Sequence, residues 1–165
     1  VRSSAASDVY KRQVHTLLQN SHRQAGDVNK DLYSYNSGSM ILADLLLFDI
    51  TKDSSYEQDA WQAAHATHEA FLQKNSNGTR EYKDFIWFTA IWAEGFAELE
   101  KRDASRTTEY REVFEEMLTH GIQNCERFDG LIPHDCARDW RPDEDVYDRL
   151  LLTHCANAEM AFLLS

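Results

Sequence analysis

The strongest constraint on the fold is an alternation between helical segments that are apolar on most sides and helical segments that are apolar on one face. Segments of the first kind occupy residues 40–50, 82–101 and 150–164, and their composition predicts buried helices. Segments of the second kind occupy residues 54–74 and 107–122, where apolar side chains recur at three-and-four spacing. An up-and-down bundle would give every helix one wet face, whereas two concentric rings bury alternate helices. The order therefore favours an α/α toroid.

The predicted fold class is all-α, an (α/α)6 barrel or six-hairpin toroid with inner buried and outer amphipathic helices. Since five helices make less than half of a twelve-helix barrel, we expect residues 36–165 to be the C-terminal half of such a domain. An extended or looped segment, residues 14–35, should precede it. Residues 1–13 resemble the adapter-derived translations at the ends of assembled metagenomic reads and are assigned to a non-native segment.

Polar residues that favour the N-cap position set the expected starts of three helices. They are Asn36, Ser37 or Ser39 for the first helix, Ser54 or Ser55 for the second, and Thr107 or Thr108 for the fourth.

Charge and composition narrow the range of partners. The chain has 165 residues and a net charge of −11, so a nucleic-acid backbone would be repelled and a neutral or cationic ligand fits better. No run approaches the roughly 20 apolar residues that cross a bilayer, so no membrane partner is expected. Cys125, Cys136 and Cys155 lack the C-x-x-C spacing of a zinc site, which indicates thiols, with one disulfide as the alternative.

Five sequence segments follow one another along the chain. The first is YSYNSGSM, which begins at Tyr33 and precedes the apolar helix. After that helix come, in order, DITKDSSYEQDAWQAA, EYKDFIWFTAIWAEGFAEL, DGLIPHDCARDW and LLLTHCANAEMAFLLS. From Val28 to Ser165 this ordered set resembles glycoside hydrolase family 76, the α-1,6-mannanases. The resemblance departs at His154, Cys155 and Asn157, where the family has a Gln-Ala-Ala-like run, so local contacts in the last helix are expected to differ.

The resemblance implies an endo-acting, retaining hydrolase of α-1,6-mannan, whose two carboxyl groups lie about 5 to 5.5 Å apart. It also implies an α-mannan or manno-oligosaccharide partner, a monomeric complete protein that is secreted or held at the cell surface, and no cofactor. The family's catalytic centre resembles an adjacent Asp-Asp pair, and this sequence contains none. We therefore expect no catalytic residue and no hydrolysis in this chain. The acidic residues of the loop before the last helix are interpreted as solvated: Asp135, Asp139, Asp143, Glu144 and Asp145.

Parallel inner helices would gather the loops that precede them at one rim, where a sugar-binding wall is predicted. Aromatic faces there would stack on pyranose rings, and amide, ammonium and carboxylate groups would bind hydroxyls. The candidate substrate-binding residues are Tyr35, Asn36, Tyr82, Lys83, Asp84, Asp139 and Trp140. The alternatives are structural: Asn36 as a helix cap, Tyr35 as a packing residue and Lys83 as a solvated residue.

Other interpretations stay open. A sugar epimerase-like isomerase would work through a core histidine, for which His154 is the candidate, and a non-catalytic helical repeat module would need a fixed period that the sequence lacks. No metal is expected, because His65 and His68 lack an H-E-x-x-H pattern and are predicted to face solvent. Asn77-Gly78-Thr79 matches the N-glycosylation pattern.

Overall fold

The structure is a computed structural model that describes residues 15–16, 28–29, 32–75, 77–124 and 151–165. Within these residues there are five α-helices: α1 (Ser34–Thr51), α2 (Ser54–Phe71), α3 (Ile86–Glu100), α4 (Thr108–Asn124) and α5 (Leu151–Leu163). A short 3₁₀ turn, Ala104–Arg106, precedes α4. Two antiparallel strand pairs join β1 (His15–Thr16) to β2 (Val28–Asn29), and β3 (Leu72–Lys74) to β4 (Arg80–Tyr82). The predicted helical class is confirmed.

The first two helices use caps that differ from those predicted. α1 begins at Ser34, ahead of the predicted Asn36, and its first residue donates its backbone N–H to the side chain of Asp84 at 2.7 Å. α1 ends at Thr51, and the next residue, Lys52, adopts the left-handed conformation with φ 59° and donates its N–H to the Phe48 carbonyl. Asp53, rather than Ser54 or Ser55, then caps α2 by accepting the N–H of Ser55 at 3.1 Å. Carboxylate oxygens are strong acceptors for the unpaired N–H groups of a helix start.

A β-hairpin replaces the predicted end of the second helix and the predicted start of the third. α2 stops at Phe71, because Leu72 pairs with Tyr82 and Lys74 with Arg80 across β3 and β4. The turn is closed by the Asn75 side chain, which accepts the N–H groups of neighbouring turn residues, and by Gly78 with φ 90°. Since these pairings link residues that local periodicity treats as helical, the predicted boundaries at residues 74 and 82 are wrong.

The helices α1, α3 and α5 are neighbours in that order, and α2 packs on α1. α1 and α3 run parallel: the start of α1 meets the residues just before α3 at the Ser34–Asp84 hydrogen bond, and the end of α1 meets the residues just after α3 at a 2.6 Å ion pair between Asp49 and Arg102. The same pair of helices approaches so closely that a Cβ on Gly38 would lie 2.6 Å from the Cα of Trp92. Only glycine permits such close backbone approach.

The core lies between the adjacent helices and the hairpin. Its largest fully buried side chains come from α1, β4, α3, α4 and α5: Ile41, Tyr82, Trp92, Phe96, Phe114 and Met160. Arg111 of α4 ties this layer together, because its guanidinium holds Glu100 at 2.8 Å and Glu115 at 2.9 Å and also donates to the Leu164 carbonyl.

The prediction that α1 and α5 are buried on most sides is wrong for this structure. Leu46 and Ile50 of α1 are 61% and 71% exposed, and Leu151 and Phe162 of α5 are 76% and 78% exposed. Their apolar composition therefore reflects faces that lack a covering element among the described residues. α3, which lies between them, is mostly buried as predicted. No helix in the described part of the chain is long and apolar enough to cross a membrane.

Candidate functional site

Asp84 joins the first turns of α1 and α3 at one rim of the helical layer. One carboxylate oxygen accepts both the backbone N–H and the hydroxyl of Ser34, each at 2.7 Å. The other oxygen accepts the N–H of Phe85 at 2.8 Å, immediately before α3. Both helices present the positive ends of their dipoles here, which suits a hydrogen-bond acceptor at this position. Asp84 thereby fixes the two helix starts relative to one another.

Five aromatic rings surround this junction. Tyr35 lies 4.6 Å and Tyr33 5.6 Å from Phe88, measured between ring centroids. Phe85 and Trp87 stack at 5.0 Å with an angle of 3° between their planes. Phe88 meets both members of that stack edge-on, at 5.5 and 5.9 Å. Each ring in the cluster is therefore held by at least one neighbour, which makes the rim a packed aromatic surface.

The structure brings several of the predicted wall residues to this rim. Tyr35 and Asn36 lie half-buried in the first turn of α1, and Asp84 lies beside them. Lys83 is exposed next to Asp84, with its backbone N–H donated to the Phe71 carbonyl at 2.8 Å. Asp139 and Trp140, like Cys125, Cys136 and the acidic loop, lie outside the described residues. Sugar contact by any of these residues stays a prediction.

Tyr82 occupies a different position from the one that a sugar-facing wall requires. Its side chain is 1% exposed, and its ring packs 4.1 Å from Trp92. The hydroxyl hydrogen-bonds to His68 Nδ1 at 2.9 Å, and burial raises the pKa of Tyr82 far above its ordinary value. Tyr82 is a core residue in this structure, because its strand places the ring on the side of the hairpin that faces α3 and α4.

His68 also departs from its prediction, whereas His65 remains exposed. His68 is only 5% exposed, since α2 packs that face against β4. Burial lowers the pKa of His68 despite the opposing charge of Glu109 at 3.6 Å, so the neutral imidazole is favoured. The described residues contain no group of three or more His, Cys, Asp or Glu side chains arranged to hold a metal ion.

The aromatic residues before and within the first turn of α3 were missed as site candidates. Phe85, Trp87 and Phe88 belong to an apolar run that local pattern assigns to the core, yet Phe85 is 47% exposed. Their adjacency to the Tyr35–Asn36 motif depends on the parallel packing of α1 and α3. The sequence does carry one signal for an exposed ring here: this run contains more large aromatic side chains than one face of a helix can bury.

A separate cavity of about 500 Å³ lies between the hairpin and α4, and it includes none of the rim residues. Arg80 dominates it, with its Nε 2.9 Å from Glu116 and a terminal nitrogen 3.1 Å from Glu112. These contacts lower the pKa of the Glu116 carboxyl and raise that of Arg80. Glu112 and Glu116 of this cavity are thus both ion-paired with Arg80, and we interpret the arrangement as structural.

Two carboxyl groups meet between α3 and α5. Glu94 and Glu159 are within hydrogen-bonding reach, and burial together with that contact raises the pKa of Glu94. In this pair, burial and the neighbouring Glu159 carboxylate both disfavour the ionised form of Glu94. The Glu94–Glu159 pair differs from the pair of a retaining glycosidase, whose carboxyl groups are about 5 to 5.5 Å apart.

The other titratable groups of α5 are His154 and Cys155. The Nε2 atom of half-buried His154 has no hydrogen-bond partner among the described residues, and Cys155 is an exposed free thiol.

Comparison with known proteins identifies the family. The sequence pattern of glycosyl hydrolase family 76 matches residues 8–163, starting within the stretch assigned above to a non-native segment. A family 76 mannosidase from Bacteroides thetaiotaomicron superposes with a TM-score of 0.67 at 24% identity, over 84% of this chain and 38% of that one. A family 76 glycoside hydrolase from a bovine strain of the same species gives a TM-score of 0.67 at 25% identity, over 86% of this chain and 30% of that one.

The chain thus spans 38% and 30% of the length of these two structures, and the five helices among its described residues match part of their (α/α)6 fold. The comparison with curated proteins found no match. Because the family pattern covers nearly the whole sequence, the chain belongs to glycosyl hydrolase family 76.

Proposed function

We propose that this chain forms a substrate wall of an α-mannan-hydrolysing domain, with the rim around Asp84 as the sugar-facing surface. The observation that carries the proposal is the convergence of the Tyr35–Asn36 motif and Asp84 on one rim in a family 76 chain. One of the structurally similar proteins is a mannosidase, which supports mannan as the substrate class.

The wall residues would divide the recognition of a neutral sugar. The Tyr35 ring offers an apolar face, the Asn36 amide offers both a donor and an acceptor, and the Lys83 ammonium offers donors to ring hydroxyls. Asp84 is already committed to Ser34 and Phe85, so its role is to position the rim rather than to bind hydroxyls. Asp139 and Trp140 are proposed to complete the wall from the loop before α5.

Hydrolysis itself is assigned to carboxylates that this sequence does not contain. In a retaining mechanism one carboxylate attacks the anomeric carbon and another group protonates the leaving oxygen. The chain has no Asp-Asp pair, and Glu94 and Glu159 are in hydrogen-bonding contact, closer than the spacing of a retaining pair. We therefore propose that the chain binds mannan without cleaving it, while cleavage requires the remainder of the ring.

The rest of an (α/α)6 ring would also account for the exposed faces of α1 and α5. Leu46, Ile50, Leu151 and Phe162 lie on the two helices that flank α3, where a closed ring would continue. We propose that residues 36–165 are the C-terminal half of that ring. The epimerase-like alternative depends on His154 alone and receives no support from the family assignment.

The test is a pair of assays on the chain itself. Calorimetric titration with an α-1,6-linked manno-oligosaccharide is expected to show binding, and reducing-end release from α-1,6-mannan is expected to stay at the level of the blank. Asn36→Ala and Lys83→Ala should each weaken binding, whereas His65→Ala, an exposed change on α2, should leave it unchanged. Measurable turnover would overturn the binding-only assignment, and equal affinity of all three variants with the parent would overturn the wall.

A further inference from the structure

The turn of the β3–β4 hairpin carries the tripeptide Asn77-Gly78-Thr79. It is the single Asn-x-Ser/Thr tripeptide in the 165 residues of the chain. Such tripeptides accept N-linked oligosaccharides when they lie in a surface loop. In the structure Asn77 and Gly78 are both exposed, between a strand that ends at Lys74 and a strand that begins at Arg80. The tripeptide therefore lies where an acceptor site has to lie.

The two asparagines of this turn have different roles. Asn75 is half-buried, and its side-chain oxygen accepts the N–H groups of Asn77 at 3.1 Å and of Thr79 at 3.0 Å, which closes the turn. The side-chain oxygen of Asn77 also accepts the Thr79 N–H, at 2.9 Å. This contact forms an Asx turn that joins the first and third residues of the tripeptide. The exposed amide of Asn77 is thereby held close to the residue that carries the hydroxyl.

The surroundings of the Asn77 amide leave room for a glycan. Gly78 adopts φ 90°, and a Cβ placed on it would meet no atom of the described residues within 4 Å. Asn77 Nδ2 lies 3.4 Å from Nδ1 of His120, which lines the cavity of about 500 Å³ beside α4. An amide nitrogen carries two hydrogens, and a glycosidic bond replaces one of them. Attachment of a sugar is therefore compatible with the contact to His120.

The hairpin separates this turn from the sugar-facing rim. β4 lies between them, and its three residues place about 10 Å of strand between the turn and Lys83. The cavity next to the turn is lined by polar side chains, among them Arg80 and Glu116, and includes none of the rim residues. A glycan on Asn77 would therefore lie over a polar surface and leave the rim open.

We propose that Asn77 is a modification site that receives an N-linked oligosaccharide from a polyprenyl-diphosphate-linked donor. In the transfer, Asn77 Nδ2 forms a bond to the anomeric carbon of the first sugar, and the bond from that carbon to the diphosphate oxygen breaks. The amide loses one proton, and the polyprenyl diphosphate leaves with the electron pair of the broken bond. The reaction needs an oligosaccharyltransferase and involves no change of oxidation state. The site goes beyond the proposed function, because it requires no mannan binding.

The experiment directs the full chain into the secretory pathway of yeast behind a cleavable leader and measures the mass of the product. We expect one oligosaccharide on the chain, which peptide-N-glycosidase removes while converting the Asn77 amide to a carboxylate. Thr79→Ala should abolish the modification, because it removes the hydroxyl of the tripeptide. Thr79→Ser is the matched control and should keep it. Both variants retain the backbone N–H that closes the turn.

Cell-free translation with microsomal membranes gives the same readout for any variant that yeast fails to secrete. An unmodified parent chain in the membranes would overturn the proposal, as would a Thr79→Ala variant that is modified as fully as the parent. The urea midpoint of the glycosylated chain should equal that of the enzymatically deglycosylated chain. A much lower midpoint with the glycan attached would overturn the inference that the folded turn accommodates it. Since none of these readouts involves mannan, failure of the substrate wall would leave them unchanged.

Discussion

Gly38→Ala tests whether the α1–α3 contact is as close as the structure shows. The added Cβ would lie 2.6 Å from Trp92 Cα, 2.7 Å from the Ile91 carbonyl carbon and closer still to the Ile91 oxygen. All three atoms are backbone, so no side chain can rotate away. Relief requires α1 and α3 to separate by about 1 Å, and gaps of that size forfeit roughly a quarter to a half of each dispersion contact across the interface.

The expected magnitude is a balance of two effects. Overpacking against fixed atoms costs about 3 kcal/mol, at the upper end of the usual range. Alanine recovers about 1 kcal/mol through its higher helix propensity. The net loss is about 2 kcal/mol, which corresponds to a fall in Tm of roughly 4–8 °C for a chain of this size.

The assay is urea unfolding followed by circular dichroism, with Ser39→Ala as the control. Ser39 is the next residue in the same helix and is exposed, so its replacement should keep or slightly raise stability. Gly95→Ala should give an intermediate loss, since its Cβ would lie 3.0 Å from the Gly38 oxygen. A Gly38→Ala variant as stable as Ser39→Ala would refute the close packing of α1 on α3.

Three further predictions concern the polar groups. Asp84→Ala should lower the free energy of unfolding by about 1–3 kcal/mol, measured by urea titration, because it orphans donors at two helix starts; no loss would contradict the junction. The lowered pKa of His68 means that the unfolded chain takes up the proton first as pH falls. The stabilising contribution of the buried neutral His68 is therefore present above pH 6.5 and is lost as pH falls toward the pKa of the folded state. We expect Tm to drop across that pH window, and His68→Gln should make the drop smaller. The pKa of Glu94 is raised in the folded chain, so its effect on the pH dependence of stability has the opposite sign. Stability should fall as pH rises above 4.5, and Glu94→Gln should remove that fall; identical pH profiles of the parent and the variant would refute the Glu94–Glu159 pairing.

Local pattern predicted the helices because their signal is local. The stripes of α2 and α4 and the apolar bulk of α3 are set by neighbours three or four residues apart, and the structure has a helix at each. The hairpin was not predictable in this way. Its strands are three residues long, and their pairing of Leu72 with Tyr82 outweighs the helical preference of the same residues.

The rim depended on contacts that sequence spacing does not reveal. Asp84 caps a helix that begins 50 residues earlier, so Asn36 and Ser37 looked like the better local caps. Tyr82 was predicted to start the third helix and to face a sugar beside Lys83, yet its partner is His68 on α2. The gathering of Tyr35 and Asp84 was predictable only after parallel inner helices had been assumed. The exposure of Phe85 was not predictable, because the pattern of an apolar run does not indicate which of its aromatic rings remains exposed to solvent.

The three contacts along α1 and α3 connect stability to the rim. Asp84 fixes the two helices at their starts, Gly38 sets their separation one turn further on, and the Asp49–Arg102 pair joins their ends. Since Gly38 lies four residues from Ser34, its contact is about 6 Å along the helix from the rim. A change in helix separation there must therefore tilt the Tyr35 face relative to Phe85. The spacing between the Tyr35 and Phe85 rings of the rim is consequently set by backbone packing, and it should respond to Gly38→Ala even under conditions where that variant is fully folded.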